Sequence, residues 1–237
     1  MWPSHGLVLH ALPYQDHNLI VKIFTPDQGL IAGMLYRPKG KNDKIQAMLQ
    51  PMSPVDIQWK SGKVKGLPLV QKLRYRFVPT TIQSDLFRSS ICLFWGEFLG
   101  RCLTEHHPEP QLYALSEHYL HVLNTPEEKV SGLPLRFLRD ACMVLGIAPD
   151  FSDFKAPGMR LQFSEGRCRL PAGPPHPAVE LSEEETLFLH TLLQQDQLPA
   201  DRKLRHQLLT GLLRYASYHY PGLHQMKSPE ILFEVFS

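Results

Sequence analysis

Apolar positions in the first eighty or so residues gather in short strand-like runs, and beyond them recur every third or fourth place. In VDIQWK, Val55, Ile57 and Trp59 alternate with Asp56, Gln58 and Lys60, the period of a half-buried strand. The runs HGLVLHAL (5–12), NLIVKIFT (18–25), GLIAGMLY (29–36), SPVDIQWK (53–60) and LPLVQKLRYRFV (67–78) are short and rich in Val, Ile, Leu and aromatics. Turn signals such as PDQG, PKGKND and KSGK separate them. Five short strands with no helical pattern between them predict a small antiparallel barrel. An OB-fold fits best, because its five strands close most of their own edges.

After Pro79 the period becomes helical. Phe87, Ile91, Phe94, Phe98 and Cys102 fall on one face of a helix over 84–103, with Ser84 as its expected N-cap. Gly96 and Gly100, four apart, would let another element approach that helix closely. Further helices are expected at 110–124, 133–146, 182–195, 200–220 and 228–236. Pro134 stands near the start of the third of these six helices, Gly146 at its C-cap, and Ser182 with Glu185 forms a capping box. Residues 147–180 are rich in proline and glycine, and MRLQFSEGRCRL (159–170) suits a hairpin around Ser164–Gly166. The sequence therefore predicts an α+β chain, with a barrel over 1–80 and a mostly helical domain over 81–237. The irregular, hairpin-containing insertion lies at about 147–180.

Composition sharpens the functional picture. Of 237 residues 43% are hydrophobic, ordinary for a globular chain with a core. No window approaches the ~18 apolar residues of a membrane helix, and MWPSHGLVLHALPYQ has no basic stretch or cleavage site of a signal peptide. Cysteines 92, 102, 142 and 168 form neither a CxxC pattern nor a dense disulfide framework. A reducing, cytoplasmic setting is expected. The net charge of +2 hides an asymmetry: residues 1–80 hold eleven Lys/Arg against four Asp, and the remainder fourteen cations against nineteen acids. Such a sign change suits two functional surfaces, one of them made for a polyanion.

Catalytic motifs are missing. The chain has no phosphate-binding Gly-Lys loop, dinucleotide fingerprint, HExxH or GxSxG. His118 with His121 and the adjacent His106 and His107 read as surface or packed histidines, and Cys142 as a buried thiol in an apolar helix. Neither an enzyme, a cofactor nor a metal site is expected.

The cations of the barrel are more telling. Lys72, Arg74 and Arg76 alternate, so in a strand they project from one face about 6.6 Å apart, with Gln71, Leu73, Tyr75 and Phe77 facing the core. Lys60, Lys63 and Lys65 surround the preceding turn, and Arg37, Lys39, Lys41 and Lys44 crowd the segment MLYRPKGKNDKIQAMLQP (34–51) between two strands. Such rows follow a sugar-phosphate backbone without reading bases, although lysines also keep edges and loops soluble. Tyr36, at the strand–loop junction, is a stacking platform beside them. Trp59 alternates with core residues and is expected inside the barrel.

GLVLHALPYQDHNLIVKIFTPDQGLI, the basic loop and LQP (49–51), then LRFLRDACMVLGIAPDF (135–151) and MKSPEILFEVF (226–236), together resemble the bacterial RecO family of DNA repair and recombination mediators. The likeness spans nearly the whole chain in order and spacing. It implies an N-terminal OB-fold, a helical C-terminal domain, and binding of single- and double-stranded DNA with annealing of complementary strands. It also implies contacts with RecR and with the acidic C-terminal tail of single-stranded DNA-binding protein, which help load RecA indirectly. Many members hold zinc with four cysteines, but here only Cys168 is available near 150–170, and Asp150 and Asp153 stand where a CxxC is expected. No zinc is expected. An acidic tail with an apolar end needs an apolar pocket with a basic rim, and the candidates are Trp95, Phe98, Leu99 and Phe137 with Arg101, Arg136 and Arg139. The competing readings are an RNA-binding OB-fold and a scaffold whose barrel binds an acidic protein.

Overall fold

The computed structural model describes residues 3–15, 18–36, 43–64, 66–155 and 157–236. Its first five strands are β1 (Pro3–Tyr14), β2 (Asn18–Thr25), β3 (Gly29–Tyr36), β4 (Pro54–Val64) and β5 (Leu67–Tyr75). They close into a barrel in the order β1-β2-β3-β5-β4. Neighbours run antiparallel except β3 and β5, which pair in parallel with Met34 beside Leu69 and Leu35 beside Val70. With the helix α1 (Asp43–Met48) between β3 and β4, this is the expected OB-fold. Sequence pattern missed α1, whose six residues sit between charges and the LQP turn.

Alternation along the strands fills the barrel with Val8, Leu19, Val21, Ile23, Leu35, Val55, Ile57 and Val70, and α1 with its following turn adds Met48 and Leu49. Trp59 packs against the same cluster. Gly33 makes room for it, since a Cβ there would stand 2.5 Å from the Trp59 ring. Residues 29–35 are buried, so β3 is covered on both faces until Tyr36, which is 57% exposed.

Contacts divide the chain into two compact units, Met1–Glu128 with Lys227–Ser237, and Lys129–Met226. The change from strands to helices comes near residue 80, as expected, but the helices that follow belong with the barrel. These are α2 (Thr80–Gln83), α3 (Leu86–Cys102), α4 (Pro110–Leu123) and the last helix of the chain, Ser228–Val235. Ser84 ends α2, its hydroxyl donating to the Thr80 carbonyl, so Asp85 takes over as N-cap of α3 and accepts from the N–H groups of Phe87 and Arg88. Ile91, Cys92, Phe94, Trp95, Phe98 and Leu99 are all buried, so α3 is covered over most of its circumference. Phe87, expected on the buried face, is 45% exposed. Of the two glycines only Gly96 serves close packing: a Cβ there would meet Pro51 at 3.2 Å and the Leu9 carbonyl at 3.3 Å, whereas Gly100 faces open space.

Arg88 ties this unit together. It is 4% exposed, and its guanidinium donates to the carbonyls of Leu123, Thr125, Pro126 and Glu128 around the end of α4. Glu97 performs a similar task at the other end of the chain, accepting from the N–H groups of Lys227 and Ser228 at the start of the last helix. Partial burial acts to raise the Glu97 pKa, but the hydrogen bonds from Ser228 and Lys227 and the charge of Arg101 prevail and hold it low.

The second unit contains α5 (Leu133–Val144), the hairpin β6 (Arg160–Gln162) and β7 (Arg167–Arg169), α6 (Glu183–Gln195) and α7 (Arg202–His219). The hairpin and the Ser182–Glu185 capping box stand where the sequence places them. Its buried side chains include Phe137, Leu138, Cys142, Leu161, Phe163, Leu192 and Leu212. Burial pushes the Cys142 thiol up to about 12, as suits an inert packing group.

Candidate nucleic-acid interface

The barrel presents an outward row on β5 beside the short β3–β5 pairing, where β3 ends. Lys72 stands opposite Gln58 and Arg74 opposite Asp56 in the β4–β5 ladder. Between them and Trp59–Val70 the register slips by one, which leaves Gln71 as an extra residue on β5. Strict alternation turns Gln71 toward the core with Leu73, Tyr75 and Phe77. The bulge changes this: Val70 is buried, Gln71 is exposed, and Leu73 and Tyr75 pack against the barrel interior. Phe77 lies beyond the end of β5 and stacks on His121, ring centroids 4.7 Å apart. His118 instead meets Tyr119 edge-on, so these two histidines do not converge.

An open groove of about 490 Å³ runs beside this pairing, lined by Leu35, Tyr36, Ile45, Val70, Gln71, Lys72, Leu73 and Arg74. The structure thus brings Tyr36, Lys72 and Arg74 to one groove. Lys60, opposite Leu69 in the ladder, is exposed on the neighbouring strand. Neither Lys60 nor Lys72 has a carboxylate partner among the described residues. The expected row is not wholly free, however. Arg74 pairs with Asp56 at 3.0 Å and Arg76 with Glu117 of α4 at 3.2 Å. The first pair follows from hairpin register, but nothing in the sequence marks the second. Arg74 remains 80% exposed along its side chain, and an exposed pair is worth only about 0.2–1 kcal/mol, so a phosphate can displace Asp56. Arg37, Lys39, Lys41 and Lys65, and the side chains of Lys44 and Lys63, lie outside the described residues.

The residues expected to form a tail pocket are placed otherwise. Trp95, Phe98, Leu99 and Phe137 are each fully buried, because their helices are enclosed on several sides, so they offer no surface floor. Arg136 and Arg139 both hold Asp196, and Arg139 also holds Asp140. Arg101, paired with Glu97, borders a groove of about 560 Å³ in the first unit, lined by Leu9, Leu12, Leu93, Ile231 and Glu97, by Lys227, and by Lys22, which pairs with Glu105. The Leu12 and Ile231 side chains are exposed there.

The residues in the place of a zinc site do not fit that metal. Asp150 accepts from the Ser152 N–H and pairs with Arg167 at 3.2 Å. Those hydrogen bonds, Ser152 first, and the Arg167 charge keep its carboxylate ionised and neutralised by protein groups. Cys168 is buried, and burial together with Asp150 and Asp153 pushes its thiol up to about 11. One buried thiol and an arginine-bound carboxylate fall short of the four donors of a structural zinc site. The Asp150 N–H instead bonds the Gly166 carbonyl at 2.7 Å, fastening the hairpin directly. Among the described residues no three His, Cys, Asp or Glu side chains group as metal ligands, and no helix is long and apolar enough to cross a membrane.

Comparison with known proteins agrees with this architecture. The model of the recombination protein O N-terminal region matches residues 1–76, and that of the recombination protein O C-terminal region matches 83–229. DNA repair protein RecO of Phocaeicola vulgatus is 27% identical over 98% of both chains. The RecO proteins of Flavobacterium psychrophilum and Flavobacterium johnsoniae are 28% and 29% identical over 99% of this chain and 98% of theirs. With the barrel matched by one family model and the helical remainder by its companion, the chain belongs to the RecO family of DNA repair proteins.

Proposed function

We propose that this chain is a recombination mediator whose barrel holds DNA loosely by its phosphates, anneals complementary strands, and acts with RecR to help load RecA onto protein-coated single strands. The observation that carries the reading is the groove at the β3–β5 pairing, where an exposed tyrosine meets Lys72 and Arg74 beside Lys60. Two strands repel through their phosphates. Cations that contact several phosphates release counterions and lower that repulsion while leaving bases free to pair. Arg37, Lys39, Lys41 and Lys44 follow Tyr36 in sequence, Lys63 and Lys65 follow Lys60, and the same DNA-binding role is assigned to them. The acidic tail of single-stranded DNA-binding protein is assigned to the groove bordered by Arg101, Lys22 and Lys227, whose apolar lining suits its apolar end.

Titrations of single-stranded DNA, duplex DNA, RNA and an acidic peptide with an apolar C-terminus test these assignments side by side. DNA binding that weakens steeply with salt, annealing of complementary strands, and peptide binding lost in Lys227→Glu are the expected results. Binding confined to RNA selects the RNA reading, and binding confined to acidic protein selects the scaffold. Peptide affinity unchanged in Lys227→Glu removes the groove assignment.

A further inference from the structure

The bulge in β5 places an amide beside an aromatic ring. Leu35 lies beside Val70 in the parallel β3–β5 pairing, so the next residues outward, Tyr36 and Gln71, come side by side at the same end of the groove. Without the bulge Gln71 would face the barrel interior. With it, both side chains are exposed, with Lys72 next to them and Leu35, Val70, Leu73 and Ile45 lining the groove. Its volume of about 490 Å³ lies within the range of small-molecule sites, about 300–1,000 Å³.

Three chemistries meet there. The phenol ring offers a stacking face to any base. The Gln71 amide offers one acceptor and two donor hydrogens to a base edge. Lys72, with no carboxylate partner among the described residues, offers an ammonium to the adjoining phosphate. A duplex cannot use the first two, because its bases are stacked on each other and paired. An unpaired nucleotide can use all three.

We infer that Tyr36, Gln71 and Lys72 form a pocket for a single unpaired nucleobase and its phosphate, which gives the protein a preference for single strands over duplex. This rests on the reading that the barrel binds DNA, and it adds a base contact to a surface otherwise built for phosphates. One base of each bound stretch is held, and its neighbours stay free to pair.

The test uses the full chain with three ligands of equal length: an oligothymidylate, the same backbone made abasic, and a duplex. Wild type should prefer the oligothymidylate to the abasic strand by about tenfold. Tyr36→Ala should erase that preference and leave duplex affinity unchanged, while Tyr36→Phe retains it. Gln71→Ala should cost about threefold on the oligothymidylate alone. Both residues are exposed, and coincident thermal melts will establish that the variants fold. Equal affinity of wild type for thymidylate and abasic strands, or equal loss on duplex in Tyr36→Ala, overturns the pocket while salt-dependent binding upholds the phosphate reading. Absence of binding to all three ligands overturns both.

Discussion

Arg88→Met is expected to destabilise the unit that contains the barrel by about 3 kcal/mol, the largest effect of any single substitution considered. Methionine keeps most of the apolar stem and removes every donor. The guanidinium now serves four backbone carbonyls, those of Leu123, Thr125, Pro126 and Glu128, and sits within 3.4 Å of the Asp85 carboxylate. Replacing both sides of a buried polar contact by apolar groups can be neutral, but backbone carbonyls cannot be replaced. They stay behind at the end of α4 with their partner gone. The same helix positions Glu117 against Arg76 and Tyr113 against Phe24 of the barrel, ring centroids 5.3 Å apart. The loss should therefore spread to the end of β5. Chemical denaturation of the full chain measures it, and a change below about 1 kcal/mol would show that water replaces the guanidinium without cost.

The second large effect concerns binding. Replacing Lys60, Lys72 and Arg74 together with alanine should flatten the dependence of single-stranded DNA affinity on salt. Each lost phosphate contact removes about 0.7 from the slope of log K against log salt concentration, so the triple variant should lose about 1.5–2. Affinity near physiological salt should fall by one to two orders of magnitude. Arg74 will contribute least, because its release from Asp56 to a phosphate leaves that carboxylate uncompensated nearby. All three side chains are exposed, and surface changes of this kind usually move stability by less than about 0.5 kcal/mol. An unchanged slope would remove this side of the barrel from the interface.

The strands were legible because short runs rich in Val, Ile and Leu are bounded by turn signals, and because Val55, Ile57 and Trp59 alternate with Asp56, Gln58 and Lys60. The meeting of Tyr36 with Lys72 and Arg74 follows from the OB-fold strand order, which sets β5 beside β3. Gln71 was not legible, because a bulge depends on how two strands settle their register and leaves no periodic trace. The pairing of Arg76 with Glu117 was hidden for a different reason, since the partners come from separate elements whose packing the sequence does not display. Trp95, Phe98 and Leu99 misled in the opposite direction. A helix enclosed on several sides and one that offers an apolar groove carry similar patterns, and only the neighbours of α3 distinguish them. Asp150 and Asp153 stand in the sequence where the resemblance expects cysteines, but nothing in the sequence shows that Asp150 pairs with Arg167.

The central claim is that DNA lies along the β3–β5 side of the barrel. Ultraviolet crosslinking of a halogenated oligodeoxyuridylate to the full chain, followed by mass spectrometry of the adducts, tests it most directly. Adducts should concentrate on Tyr36 and on peptides spanning 60–76. Adducts confined to residues 129–226, with none on the barrel, would contradict it.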